Sequence, residues 1–311
     1  MKDFIYKIAI FIPVAAVAVA VGIALLGGTG LLRNVSYNLG MWDYTHTKVR
    51  EASEYKDIDV LFVGSSHCYR TFDTRYYAAQ GLRTFNFGTS NQTPLQTLML
   101  LRLYLDRLSP RVVVIEVHPD LMCNDGVESS LYLANNMKPS FELARMAFAT
   151  RNLKSVLTMV YSATHNTLSK EFAAYNDPST DDENKYVAGG FVERNGGLLR
   201  PEPLEEVGIE MNARQLDALR KCAKLLRRRG IPFLLVEVPA SETLERAYRG
   251  HDAFVDEMRK IGEYHSPQPE GLCDTIHYYD LDHLNQQGVE LFNPCFYHTV
   301  LKPFIEDNQR Q

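Results

Sequence analysis

Cysteine is scarce in this chain of 311 residues. There are five, scattered at Cys68, Cys123, Cys222, Cys273 and Cys295, and no Cys-x-x-Cys pair occurs. That excludes a disulfide-built scaffold and a zinc ribbon. Only Cys273 and Cys295 lie close enough in sequence to suggest a bridge. Positive charge is not in excess: the net charge is -5, which leaves no electrostatic footprint for nucleic acid. Internal repeats are absent, and no His-x-x-x-His pair offers metal ligands on one helix face. His67, His118 and His283 could in principle gather a metal, but no spacing supports one. Neither metal nor cofactor is expected. What remains is an ordinary globular composition, 45% hydrophobic and 23% charged, sufficient for one large α/β domain or two small ones.

What is present begins with an apolar run. Ile8 to Leu26 carries no charge, follows Lys2 and Lys7, and precedes Arg33. About twenty apolar residues span a bilayer core. The run exceeds the roughly 7–15 residues of a cleavable signal, and no Ala-x-Ala site closes it. It reads as an uncleaved signal-anchor, residues 1–33, with a cytoplasmic tail and the rest of the chain extracytoplasmic. A cleaved signal peptide and a buried soluble helix are the alternatives. Residues 34–56, polar and aromatic, read as a stalk. Residues 57–311 form the outer domain.

Within that domain strand and helix signals alternate, which means a parallel sheet with helices on both faces. Strands are expected at Val60–Val63, Thr84–Gly88, Val112–Val117, Ile231–Val238 and Ile276–Tyr279. Helices are expected at Thr93–Leu108, Gln215–Arg229, Glu242–Ile261 and Gly288–Ile305. The fold class is three-layer α/β/α, flavodoxin-like, with about five strands. A mostly helical insertion, about 120–212, interrupts it after the third strand and reads as a lid. It contains an acidic run, Asn176 to Glu183, read as a solvated loop, and a hairpin-like Arg194-Asn195-Gly196-Gly197 segment.

Chemistry concentrates at two places. Val60-Leu61-Phe62-Val63-Gly64-Ser65-Ser66-His67 is a buried strand ending in glycine and two serines before a helix. A hydroxyl there sits at the carboxyl edge of the sheet, where open α/β folds bind ligands. Far along the chain stands Asp280-Leu281-Asp282-His283. An aspartate three residues before a histidine can hold Nδ1 and leave Nε2 free as a base. The two loops share one sheet edge. Ser65 is the rival nucleophile, though capping the helix is its simpler role. Cys68 as a nucleophile has nothing near it to lower a thiol pKa. Asp282 reads as a helix N-cap.

These blocks resemble the SGNH/GDSL-type hydrolases, in the membrane-anchored branch of envelope esterases and acyltransferases. Val63-Gly64-Ser65-Ser66-His67 is similar to the first block, Phe87-Gly88-Thr89-Ser90-Asn91 to the second, and Asp280-Leu281-Asp282-His283 to the last. The resemblance implies Ser66 as nucleophile, His283 as base and Asp280 as orienter, with the Ser66 and Gly88 N–H groups holding the oxyanion. The third block departs from the pattern: Glu116-Val117-His118-Pro119-Asp120 stands where the family has Gly-x-Asn. Asn91 or His118 could replace that side chain. Substrate contacts are expected from His67, Arg70 and His118; Arg70 meets either an anionic substrate or a carboxylate of the protein. The expected activity is ester hydrolysis or O-acyl transfer on envelope polysaccharide or another acylated substrate, with a membrane acyl-donor protein as a partner. A similar Gly-Ser-Ser with Asp-x-x-His occurs in the D-alanine transfer proteins of teichoic acid modification, so aminoacyl transfer is the second expectation. A non-catalytic binding protein is the third.

Overall fold

The computed structural model describes residues 2–40, 43–180, 183–194 and 196–309. Asp181 and Asp182 of the acidic run and Asn195 lie outside them. Five strands form one parallel sheet: β1 Val60–Val63, β2 Thr84–Asn86, β3 Val112–Glu116, β4 Phe233–Val236 and β5 Glu263–His265. Their spatial order is β2-β1-β3-β4-β5, the flavodoxin-like order. All four pairings are parallel, for example Val63 opposite Ile115 and Glu116 opposite Val236.

Strand side chains alternate between two cores, as period-two geometry requires. Leu61, Val63, Val113, Ile115 and Leu235 face one layer, built by helices Pro94–Leu108, Ala213–Arg229 and His251–Ile261. Val60, Phe62, Val112, Val114, Leu234 and Val236 face the other, where Phe72, Tyr77, Val289, Phe292 and Phe296 pack. Both faces are covered, which explains why the strands read as near-continuous apolar runs.

The expected fifth strand is not one. Residues Asp274–His277 form a helical turn, held by Asp274 accepting the N–H groups of Glu242 and Thr243. The real edge strand, β5, is Glu-Tyr-His and too polar to announce itself. The single helix expected at Glu242–Ile261 is broken by Gly250, which adopts a left-handed φ of 88°. The helix expected at Gly288–Ile305 begins at Gln286 and passes through a π turn at Tyr297–Leu301. The hairpin is also displaced. Its strands are Asn184–Val187 and Phe191–Arg194, turning at Gly189 and Gly190 with φ of 87° and 97°. The Gly189 carbonyl accepts the Asn86 N–H at 2.6 Å, so the hairpin closes the free edge of β2.

The stalk expected at 34–56 is instead built into the domain. Asp43, Tyr44, Thr45, Lys48 and Ala52 are buried. Asp43 accepts the Ser90 N–H at 2.8 Å, and Lys48 Nζ donates to the Gly88 carbonyl at 2.7 Å. The polar character that suggested a solvated spacer serves buried backbone groups. Before it, helix Lys2–Leu26 is long and apolar enough to cross a membrane, and its apolar side chains, Phe4 to Leu26, are largely exposed. Cys273 and Cys295 are unpaired, as are the other three cysteines.

Candidate active site

The order β2-β1-β3 places a topological switch point beside β1, and the Ser65-Ser66 turn leaves from there. Gly64 is required by close approach. A Cβ at that position would lie 2.5 Å from Glu116 Oε2. Glu116, the last residue of β3, is buried and answers this turn: its Oε2 accepts the Ser65 N–H at 2.7 Å and the Ser65 hydroxyl at 2.8 Å. Burial raises the Glu116 carboxyl above its ordinary range, against the pull of His67. Ser65 also caps helix Ser66–Thr71 by accepting from the His67 N–H. It is fully buried and saturated with partners, which removes it as a nucleophile.

Ser66 begins the helix and lines an open cleft of about 710 Å³. Its Oγ stands 2.8 Å from His283 Nε2. His283 Nδ1 lies 3.0 Å from both oxygens of Asp280 and 2.8 Å from Asp282 Oδ1. Two carboxylates therefore hold one imidazole. Asp280 also accepts the backbone N–H groups of Asp282 and His283 at 3.1 and 2.8 Å, which folds the loop into a turn and aims the ring. Burial pulls the His283 pKa down, but the two carboxylates outweigh it and raise the pKa to about 9. Burial likewise opposes ionisation of Asp282, yet hydrogen bonding to His283 and His67 holds it well below the usual carboxylate range. Asp282 is not the N-cap of the following helix. Asn285 is, accepting from Gln287 and Gly288.

His67 and His118 do not reach the cleft. His67 is buried between His118, at 4.0 Å and 11°, and His283, at 4.4 Å and 1° between ring planes. Its Nδ1 meets Ser65 Oγ at 2.9 Å, and its Nε2 faces Asp282 Oδ2 at 3.3 Å. Tyr279 stacks on His283 as well, at 5.3 Å and 18°. This column of flat rings fixes the plane of the His283 imidazole. Burial drives the His118 pKa well down and His67 adds to it, so His118 is neutral. The expected substrate contacts from His67 and His118 are thus replaced by a supporting role behind the site.

Gly88 does not supply a free oxyanion donor. Its N–H donates to Asn86 Oδ1 at 3.1 Å, because the Asn86 side chain folds forward to donate to the Cys68 and Phe72 carbonyls. A Cβ on Gly88 would meet the Ser65 carbonyl at 2.8 Å, so this glycine is there for packing. Asn91 does line the cleft, with Ser90 and Tyr69, and its φ of 51° turns the loop at the rim. The Ser66 N–H, as the first of its helix, has no intrahelical acceptor. Cys68 is buried, and burial raises its thiol pKa well above the ordinary value.

Arg70 also lines the cleft. It lies over the rings of Tyr69 and Tyr279, at 5.1 and 5.7 Å. Arg194 stands 4.4 Å from the Tyr279 ring and pairs with Glu183 at 2.8 Å. Sequence reasoning missed Asp282, Tyr279, Arg194 and Glu183. Asp282 is adjacent to the histidine and carried a capping signal; Glu183 and Arg194 lie at the ends of segments read as a solvated acidic loop and a turn, and Tyr279 directly precedes the Asp-x-x-His block.

A hydroxyl, an imidazole and carboxylates in one hydrogen-bonded line can remove the hydroxyl proton as it attacks an electrophile. No family profile matches the sequence, and no curated protein matches it. Among solved structures the chain is similar to a GDSL-like lipase from Bacteroides thetaiotaomicron, at 13% identity and a TM-score of 0.42, over 86% of this chain and 99% of that one. It is also similar to an acetylxylan esterase from Geobacillus stearothermophilus, at 12% identity and a TM-score of 0.38, over 81% of this chain and 95% of that one.

Proposed function

We propose that this protein is a serine-dependent acyl-ester hydrolase or O-acyltransferase of the SGNH type, tethered by its N-terminal helix and acting on cell-envelope polysaccharide outside the cytoplasm. The observation that carries it is the Ser66 Oγ to His283 Nε2 contact of 2.8 Å at the floor of an open cleft. Ser66 attacks the ester carbonyl while His283 takes its proton. The tetrahedral oxyanion is met by the Ser66 N–H, with Asn91 at the rim. Collapse expels the alcohol, which takes the proton back from His283 and leaves an acyl-serine. Water then restores the enzyme by hydrolysis, or a sugar hydroxyl completes transfer. An outward domain on a membrane helix suits a bulky polymer and a membrane acyl donor.

An aminoacyl group such as D-alanyl fits less well. Its ammonium would enter a cleft where the Arg70 guanidinium stands on the same short helix as Ser66. A purely binding role leaves the Ser66–His283–Asp280 line without a purpose.

The test is covalent labelling of the purified full chain by a fluorophosphonate. Ser66 takes the label, and Ser66→Ala does not. Ser66→Ala and His283→Ala each lower ester turnover by on the order of 10⁴-fold. Labelling at another residue, or turnover near the wild-type rate in either variant, rejects this function.

A further inference from the structure

The cleft contains a buried charge that no carboxylate among the described residues pairs with directly. Arg70 is only 5% exposed, and its Nη1 has no hydrogen-bond partner. Among the described residues no carboxylate forms an ion pair with it. The two acids that line the same cleft are engaged elsewhere: Glu183 with Arg194 at 2.8 Å, and Asp280 with His283 at 3.0 Å. A guanidinium remains protonated in any protein environment. Buried and unpaired, it is expensive to keep unless something pairs with it. Stacking on two tyrosines and a hydrogen bond with Tyr69 hold the fork in place but leave Nη1 unspent.

Position gives this charge a direction. Ser66 and Arg70 are four residues apart on helix Ser66–Thr71, so they share a face, separated by about 6 Å along the axis. Both line the cleft. An acidic group on Arg70 would thus occupy the same cleft as an ester on Ser66. Guanidinium recognises carboxylate and phosphate through two parallel N–H donors.

We propose that the substrate is anionic, carrying a carboxylate or phosphate close to its ester, and that Arg70 is the residue that selects it. This rests on Ser66 being the nucleophile, and the experiment separates the two ideas. The full-length protein in detergent micelles is offered three acetyl esters: of a methyl glucoside, a methyl glucuronide and a glucose phosphate. Wild type turns over one of the two charged esters with a kcat/KM about ten- to a hundredfold above the neutral one. The charged ester it prefers identifies the source of the oxyanion. In Arg70→Gln that ratio falls to about one. Arg70→Lys, which keeps the charge but not the fork, lies between.

In parallel, glucuronate and inorganic phosphate are titrated directly onto wild type and Arg70→Gln. At least one binds wild type, and the variant binds it about tenfold or more weakly. Fluorophosphonate labelling of Ser66 reports separately whether the nucleophile is in place in each protein. A ratio near one in wild type, a preference that persists in Arg70→Gln, or binding unaffected by the substitution overturns the anion site. Loss of labelling in wild type overturns the nucleophile instead, while the titration still decides the anion site.

Discussion

At the residue scale the centre of the site is one imidazole between two acids. Asp280 was legible because Asp-x-x-His lets a carboxylate reach back to its own loop's ring. Asp282 was not, because residue adjacency says nothing about where a side chain turns. It bridges His283 and His67 and helps raise the His283 pKa to about 9. The base must be neutral to accept a proton, so kcat/KM should climb with pH and level off above about pH 9. In Asp282→Asn one source of imidazolium stabilisation is gone. The midpoint then moves to lower pH, by about one unit. A pH–rate profile checks this, and a midpoint that stays where wild type has it would show that Asp282 does not act on His283.

At the scale of elements, the turn after β1 works because three segments meet there at backbone distance. β3 contributes Glu116, the 87–90 loop contributes Gly88, and the segment at Lys48 holds that loop from behind. Gly64 is where the packing is tightest. Gly64→Ala would force a methyl group to 2.5 Å from Glu116 Oε2 and 2.6 Å from its Cβ. We expect a loss of about 1–3 kcal/mol, as overpacking costs elsewhere, read as a lower Tm. Slower fluorophosphonate labelling of Ser66 should accompany it. A variant as stable and as reactive as wild type would mean that the Glu116–Ser65 link does not position the turn. Glycine before the serines signalled a tight βα turn in the sequence, but its neighbour across the sheet is 52 residues away. Likewise, Arg70 left two readings open on paper. Only the packed cleft shows that the protein supplies it no carboxylate among the described residues.

At the scale of the molecule, the α/β/α sandwich sets the carboxyl edge of the sheet as the site, and the helix Lys2–Leu26 is long and apolar enough to cross a membrane. If the domain lies outside the cytoplasm, Cys273, the one exposed cysteine, is a native reporter. A membrane-impermeant maleimide added to intact cells, or to spheroplasts where an outer barrier exists, should label wild type. Cys273→Ser should lose most of that label. Labelling that appears only after the cytoplasmic membrane is opened would place the domain inside.

Local patterns alone determined a good deal of this protein. Apolar runs located four of the five sheet strands, a charge-free stretch marked the N-terminal helix, and alternation gave a parallel sheet. Two short motifs and the resemblance they carry singled out Ser66, Asp280 and His283, although the strand expected before Asp280 is a helical turn. The apolar runs and their alternation follow from spacing along the chain, which sequence reports directly. Tertiary structure decided the rest: β5, too polar to be read as a strand; the burial of residues 43–52; the pairing of Gly88 N–H with Asn86; and the imidazole column behind His283. Those outcomes depend on which groups meet across long chain separations and on which polar atoms burial leaves in need of partners, and no local pattern encodes either.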